Sequence, residues 1–410
     1  MKWLVVIARY LPEKVGGTFT YVEQFTKALI ERGDTVHIVT TTRRKDLPPI
    51  EVKGALTIHR VYVERGNMGP LYFNYTNKVT DYINRLDQTE HFDCINPHGA
   101  FTVNTARTRK DLTVLYTLHA VVTYEYMFSL KKLVQKKLFS LQTFKVLAIA
   151  SFKLPISYLR EWLAVKDANK IIVMSNYVKG TIDTFLPGID LDRVYVSRIG
   201  IDESFKPSSN KEQLKKEMNI KNDISFLTVR RLESRMGLDN LISALSILHT
   251  NKKLNGVKLY IAGKGSLKDY FEQLINNHNL GRHIQLLGFV SDEDLRKWYQ
   301  ISDAFIMPTE QLEGFGIVTI EAFASNLPVI ATPAGANPEV AGLLCPELLA
   351  NSATSPVDIA NVILTYLDNV ESYKNKDYSI AAKKIFNWVP ITQEIASEYM
   401  KVSENKHEKV

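Results

Sequence analysis

The chain has 410 residues, more than one hydrophobic core usually supports, so two domains are the default expectation. With 45% hydrophobic and 23% charged residues it reads as an ordinary globular protein, and its two cysteines, Cys94 and Cys345, exclude a disulfide framework or a thiolate metal site. That usage favours a reducing cytoplasm.

The net charge of +7 is concentrated in one place. Residues 126–170 carry nine bases (Lys131, Lys132, Lys136, Lys137, Lys145, Lys153, Arg160, Lys166 and Lys170) against Glu161 and Asp167. Aliphatic residues interleave them, so the segment suits an anionic membrane surface, which would place the protein peripherally on the inner face of the membrane. The competing reading is a core-packed helical pair whose lysines face water. Few aromatics stand where bases could stack, which argues against nucleic acid as a partner.

In chain order, the opening run at 3–8 stops at Arg9, too short for a signal peptide, and predicts a buried strand. A helix follows the Gly16-Gly17 turn, with Phe19, Val22, Phe25 and Leu29 on one side and Gly33 closing it. Further strands are predicted at 36–40, 93–96, 113–118 and 170–174. The pattern breaks into a polar loop around 198–202 and Pro207-Ser-Ser-Asn210. A second series follows, with strands at 225–229, 257–262, 284–287, 304–307 and 328–331. Its helices start near Leu238, Ser266, Asp292 and Ile317, and a last helix runs over about 391–402. Strands alternating with helices predict βα units and parallel sheets. The expectation is an α/β protein of two Rossmann-like, doubly wound domains, 1–203 and 204–385, followed by a helix and tail at 386–410. Open sheets of this kind bind ligands at the carboxyl ends of their strands, so a cleft is expected where the two domains face each other.

The chemistry concentrates in Glu313-Gly-Phe-Gly-Ile-Val-Thr-Ile-Glu321. A helix beginning near Gly316 would aim free N–H groups and its positive end at phosphate oxygens without a metal. Glu321 would lie roughly 7 Å further along the axis, so the two acids could address a sugar and a ribose diol at opposite ends of one ligand. Asp190-Leu-Asp192 has the spacing of a metal-binding pair, but it follows Pro187-Gly188 and reads as a turn. Gly263-Lys-Gly265 lacks a third glycine, because Lys268 takes that position, and so gives weak support for a nicotinamide site.

Taken together, the chain resembles the retaining glycosyltransferases of family 4, which share the two-domain GT-B fold. The resemblance rests on Val229-Arg-Arg231-Leu, Tyr260-Ile-Ala-Gly263-Lys-Gly265, Leu287-Gly-Phe-Val290, Glu313-Gly-Phe-Gly316 and Glu321-Ala-Phe-Ala-Ser-Asn-Leu-Pro-Val329, in order and at matching spacing. It implies that Glu313 contacts the donor sugar and that the backbone at Phe315, Gly316 and Ile317 caps sugar and phosphates. It further implies that Glu321 holds the ribose and Arg231 neutralises the diphosphate, with Val290 beside the donor. Gly16 and Gly17 would form a glycine loop approaching phosphate or acceptor, and His119 would face the donor sugar from a strand end. The C-terminal helix is expected to cross back to the N-terminal domain.

The sequence departs from the family at three positions. Met236 stands where a lysine is usual, with Arg235 beside it, so either Arg235 takes over the phosphate contact or that contact is missing. Arg230 replaces a common glycine and would add charge near the diphosphate. Asn326 replaces another glycine, as a turn residue that tolerates a left-handed conformation. The implied activity is retaining, metal-independent transfer from a nucleotide sugar to a glycan or lipid-linked acceptor, with no cofactor. A nucleotide-sugar epimerase or hydrolase, or a non-catalytic donor-binding partner subunit, remain the alternatives.

Overall fold

The computed structural model describes residues 1–13, 16–64, 73–100, 112–136 and 141–407, with side chains at 73–75, 129, 131–136, 141–150, 152 and 405–407 outside the description. The chain divides into two compact units, Met1–Gly200 with Trp388–Val410, and Ile201–Asn387.

The first unit is built on strands β1 (Lys2–Ile7), β2 (Thr35–Thr42), β3 (Ile50–Lys53), β4 (Leu56–Tyr62), β5 (Cys94–Pro97), β6 (Thr113–Leu118), β7 (Lys170–Val173) and β8 (Val194–Val196). They are ordered β3-β4-β2-β1-β5-β6-β7-β8, parallel throughout except for the β3–β4 hairpin at one edge. The central strands are covered on both faces, which is why they read as unbroken apolar runs rather than alternating ones. The helix Gly16–Glu31 buries Phe19, Val22, Phe25 and Leu29. It ends as expected on Gly33, whose φ of 95° lets Asp34 N–H reach the Leu29 carbonyl at 3.0 Å.

Strands β3, β4 and β8 were not expected. β3 exposes Ile50 and Val52, β4 hides a buried His59 and Arg60 among its apolar residues, and β8 is three residues long, so none shows the apolar run of a central strand. The last helix is longer than expected, Trp388–His407, and packs within the first unit against Gly16–Glu31. The Trp388 indole lies on Tyr21 at 5.6 Å and on Phe25 at 6.2 Å between ring centres. A Cβ on Gly200 would come within 2.3 Å of that indole, so the absence of a side chain there is a packing requirement.

In the basic segment, Lys131, Lys132, Lys136, Lys137 and Lys145 lie outside the described residues or side chains. Three other bases turn to protein neighbours: Arg160 bonds Thr76, Lys166 lies 4.3 Å over the Trp162 ring, and Lys170 pairs with Glu398 at 2.7 Å. Glu161 is a buried cap. Its carboxylate accepts Val122 N–H at 2.7 Å and Thr123 N–H at 3.0 Å, and so closes the first turn of the helix Val122–Lys136. Among the described residues no helix is long and apolar enough to cross a membrane.

The second unit carries β9 (Ile224–Val229), β10 (Val257–Ala262), β11 (Ile284–Gly288), β12 (Ala304–Met307) and β13 (Val329–Ala331), all parallel, in the order β11-β10-β9-β12-β13. Each matches its expected position to within a residue. Helices begin at Leu238, Asp292 and Ile317 as expected, and at Lys268 rather than Ser266. Asn326 adopts φ 65°, the left-handed turn that its position demanded. The strand order reverses between β9 and β12, so the loops leaving those two strands at their carboxyl ends lie side by side.

Candidate functional site

The switch point of the second unit brings together the turn after β9 and the loop after β12. Arg230 leaves the end of β9 with its N–H on the Ala262 carbonyl at 2.8 Å, and Leu232 N–H bonds the Lys264 carbonyl at 3.0 Å. This lateral pairing explains the two glycines of Gly263-Lys-Gly265. A Cβ on Gly263 would meet the Arg230 carbonyl oxygen at 1.8 Å, and one on Gly265 the Leu232 carbonyl oxygen at 2.3 Å. The motif therefore serves close backbone approach.

Arg230 was read as added charge near the diphosphate. Its side chain is 8% exposed, and its guanidinium pairs with Glu313 at 2.6 Å. The same nitrogen contacts Thr309 Oγ1 and Met307 Sδ, and Thr309 also donates to Glu313 at 3.2 Å. Glu313, 14% exposed, is thus held in place by two donors. Its backbone is fixed as well, since Ala336 N–H bonds its carbonyl at 2.8 Å.

Arg235 and Met236 sit in the 3₁₀ turn Ser234–Met236. Met236 points inward and is buried, which accounts for an apolar residue there. Arg235, expected on a phosphate, donates from Nη1 to the Leu312 carbonyl at 3.0 Å, while Glu310 N–H bonds the Arg235 carbonyl at 3.0 Å. Both contacts brace the loop that carries Glu313. Arg231, by contrast, is exposed, and among the described residues no carboxylate pairs with it.

The loop ends at Gly316, whose φ of 89° starts the helix Ile317–Ala324 without a side-chain cap. Phe315 buries its ring edge-on against Phe386, 6.0 Å between centres, so its backbone is what remains to address a ligand. Val290, half-buried after β11, lines a separate pocket of about 400 Å³ with Phe289 and Trp298, and Lys264 lies 5.0 Å over the Phe289 ring.

Glu321 was expected to stand ready for a ribose. It lies 9% exposed beneath the turn, and Tyr299 donates its hydroxyl to Oε2 at 3.0 Å. Burial pushes its carboxyl up to about 7, with Asp202 and Asp292 adding to the shift and the Tyr299 bond opposing it. A raised value means the folded chain favours the protonated acid. The stability it contributes is complete below the ordinary carboxyl range and is lost as pH rises through about 7. A shift of this size corresponds to about 3 kcal/mol. Replacing Glu321 with glutamine should therefore stabilise the unliganded chain by roughly this amount at pH 8 and hardly at all at pH 4. Urea titrations at the two pH values will check it; equal differences at both would refute the burial of an ionisable acid.

In the first unit the strand order reverses between β1 and β5. Gly16, with φ 72°, and Gly17 open the helix after β1, and His119 follows β6. Sequence reasoning missed the neighbours of His119. His98, after β5, contacts it at 2.9 Å between Nδ1 and His119 Nε2, and Asn96 contacts His98 at 2.7 Å. Tyr21 lies edge-on to His119, 5.0 Å between centres. The signal was available as Asn96-Pro-His98-Gly99, polar residues at the carboxyl end of a strand. Burial lowers the His119 pKa to about 4, so the ring is neutral at physiological pH.

The family model described as Glycosyltransferase Family 4 matches residues 15–205, and that described as Glycosyl transferases group 1 matches 210–384. The chain belongs to glycosyltransferase family 4. It is similar to an uncharacterised glycosyltransferase of Methanocaldococcus jannaschii, 24% identical over 83% of this chain and 82% of that one. It is also 21% identical, over 98% of its length and 83% of the relative, to a subunit of phosphatidylinositol N-acetylglucosaminyltransferase from Saccharomyces cerevisiae. Some other relatives align over only 38% to 62% of their own length. The fold is that of the GT-B glycosyltransferases: a structure from Anabaena, in complex with UDP-glucose, superposes with a TM-score of 0.69 at 17% identity, covering 98% of this chain and 100% of that one. In this family 4 glycosyltransferase, then, Arg230, Thr309 and Glu313 meet directly, Arg235 supports their loop, and Glu321 lies beneath.

Proposed function

We propose that the chain transfers a glycosyl group, with retention of configuration and without a divalent cation, from a nucleoside diphosphate sugar to a hydroxyl of a glycan or lipid-linked acceptor. The observation that carries this reading is the clamped Glu313 beside a helix start without a side-chain cap and an exposed Arg231, with which no carboxylate pairs among the described residues. Transfer breaks the bond from the anomeric carbon to the diphosphate, so cationic character grows on the ring and negative charge on the leaving oxygen. Arg231 and the N–H groups at Ile317 supply fixed positive potential for that oxygen, which needs no reorganisation when the charge develops. The acceptor oxygen bonds to the anomeric carbon on the face the diphosphate leaves, and its proton passes to the leaving phosphate oxygen. Glu313 and His119 hold sugar hydroxyls and form no covalent bond.

Glu321 would accept the ribose diol in its ionised form. Donor affinity should then weaken as pH falls below about 7, because protonation removes one acceptor. The Saccharomyces relative is named for phosphatidylinositol, and the basic run of residues 126–170 fits an acceptor held at an anionic membrane on the cytoplasmic side. A thermal-shift screen of nucleotide sugars on the wild-type chain and on Glu321→Ala tests the donor reading. One donor should raise the melting temperature of the wild type, with a dissociation constant at least tenfold weaker in the variant. Identical affinities would refute the ribose assignment, and no shift with any nucleotide sugar would refute the function.

A further inference from the structure

A run of hydrogen bonds in the first unit begins at an amide and ends on His119. Asn96 Nδ2 lies 2.6 Å from the Leu115 carbonyl and 2.9 Å from Thr117 Oγ1. A carbonyl only accepts, so this end of the amide is its NH2 group, and the oxygen Oδ1 is what faces His98 Nε2 at 2.7 Å. Nε2 of His98 must therefore carry a hydrogen. Burial holds His98 neutral, leaving its other nitrogen, Nδ1, bare. That bare atom lies 2.9 Å from Nε2 of His119. One of the two has to donate, and His98 has no hydrogen there to give. His119 donates from Nε2, and in a neutral ring this is its one N–H. Its Nδ1 is left as a lone pair, and among the described residues no donor reaches it.

The rings are held in register by packing. His98 and His119 stack 5.2 Å apart at 26°, and Tyr21 lies 5.6 Å from the first and 5.0 Å from the second. Charging both rings would set N–H against N–H across the 2.9 Å contact, so the geometry itself excludes the doubly cationic pair.

We propose that Asn96 and His98 are positioning residues that lock His119 as its Nε2–H tautomer, so that Nδ1 accepts a hydrogen bond from a hydroxyl of the donor sugar and refuses a phosphate or carboxylate oxygen. The proposal rests on the reading of His119 as a sugar contact. It adds a polarity rule that His119 alone does not give: whatever group stands at Nδ1 must bring its own hydrogen.

The test is nitrogen NMR of the histidine side chains in the full chain, with kinetics on the same samples. In the wild type, His119 should show a protonated Nε2 and an unprotonated Nδ1. His98→Leu removes the acceptor and should release His119 into a mixture of tautomers, with kcat/KM lower by about tenfold or more, the worth of one well-placed hydrogen bond. His98→Asn places an amide oxygen near the former Nδ1, and should restore both the tautomer and activity to within a few-fold. A wild-type ring carrying its hydrogen on Nδ1 overturns the proposal, as does an unchanged tautomer in His98→Leu. The Nε2–H tautomer combined with full turnover in His119→Ala refutes the sugar contact and the proposal with it. The two failures are told apart because one is read in the spectrum of the free protein and the other in turnover.

Discussion

Arg231→Ala is expected to lower kcat by about 10²–10³-fold while leaving donor affinity within a few-fold, the pattern of a group that matters most once charge has developed. The expectation follows from how the neighbouring cations are spent. Arg230 is committed to Glu313, and Arg235 to the Leu312 carbonyl. Met236 is apolar and buried. Of the three arginines in residues 230–235, Arg231 is the exposed one, and among the described residues no carboxylate pairs with it, so its charge is available to an incoming anion. Lys264→Ala should cost far less, since that ammonium stands over the Phe289 ring. Steady-state kinetics alongside donor titration will separate the effects. A loss appearing wholly in the donor dissociation constant, with kcat preserved, would show that Arg231 grips the ground state and would end the transition-state assignment.

Arg230→Ala should destabilise the second unit by about 3 kcal/mol, because it leaves the Glu313 carboxylate nearly buried with Thr309 as its remaining side-chain donor. Activity should fall too, since an unclamped Glu313 no longer presents a fixed oxygen to the sugar. The decisive measurement is a double-mutant cycle with Glu313→Gln, followed by urea unfolding. A coupling energy above about 1 kcal/mol is expected for directly bonded partners, whereas independent sites add to within about 0.5 kcal/mol. Additive losses would mean the ion pair does not form in solution. The substitution of arginine for the glycine common in the family would then lack a structural reason.

The strands of the second unit were legible almost to the residue. β9, β10, β12 and β13 are largely buried on both faces, so each is an apolar run bounded by glycine, proline or charge, and the edge strand β11 still carries Ile284, Leu286 and Leu287. β3 and β4 were invisible for the opposite reason. An edge hairpin turning on Lys53-Gly54-Ala55 needs no apolar face, and the buried His37 and His59 that join β2 to β4 through a 3.0 Å contact look like surface residues in a sequence. Motifs also located the site better than they described it. That Arg230 lies near Glu313 could be inferred from strand order, but that it spends its charge on that acid depends on one rotamer and a partner 83 residues away. Likewise the five-residue step from Gly316 placed Glu321 more than one turn along the helix, while nothing local in the sequence marks Tyr299 as its hydrogen-bond donor. Glycines 263 and 265 were visible as a pattern, yet their purpose appears only once the neighbouring backbone is seen against them.

The helix Trp388–His407 completes the first unit, although the ribosome delivers residues 201–387 before it. Tyr21 and Phe25 emerge early and wait for the indole that will cover them. Until then the helix Gly16–Glu31 keeps an oily stripe open to whatever surrounds the nascent chain. Maturation of the amino-terminal half is thereby tied to the emergence of residues 388–407, and holdase chaperones should meet this protein first on that stripe.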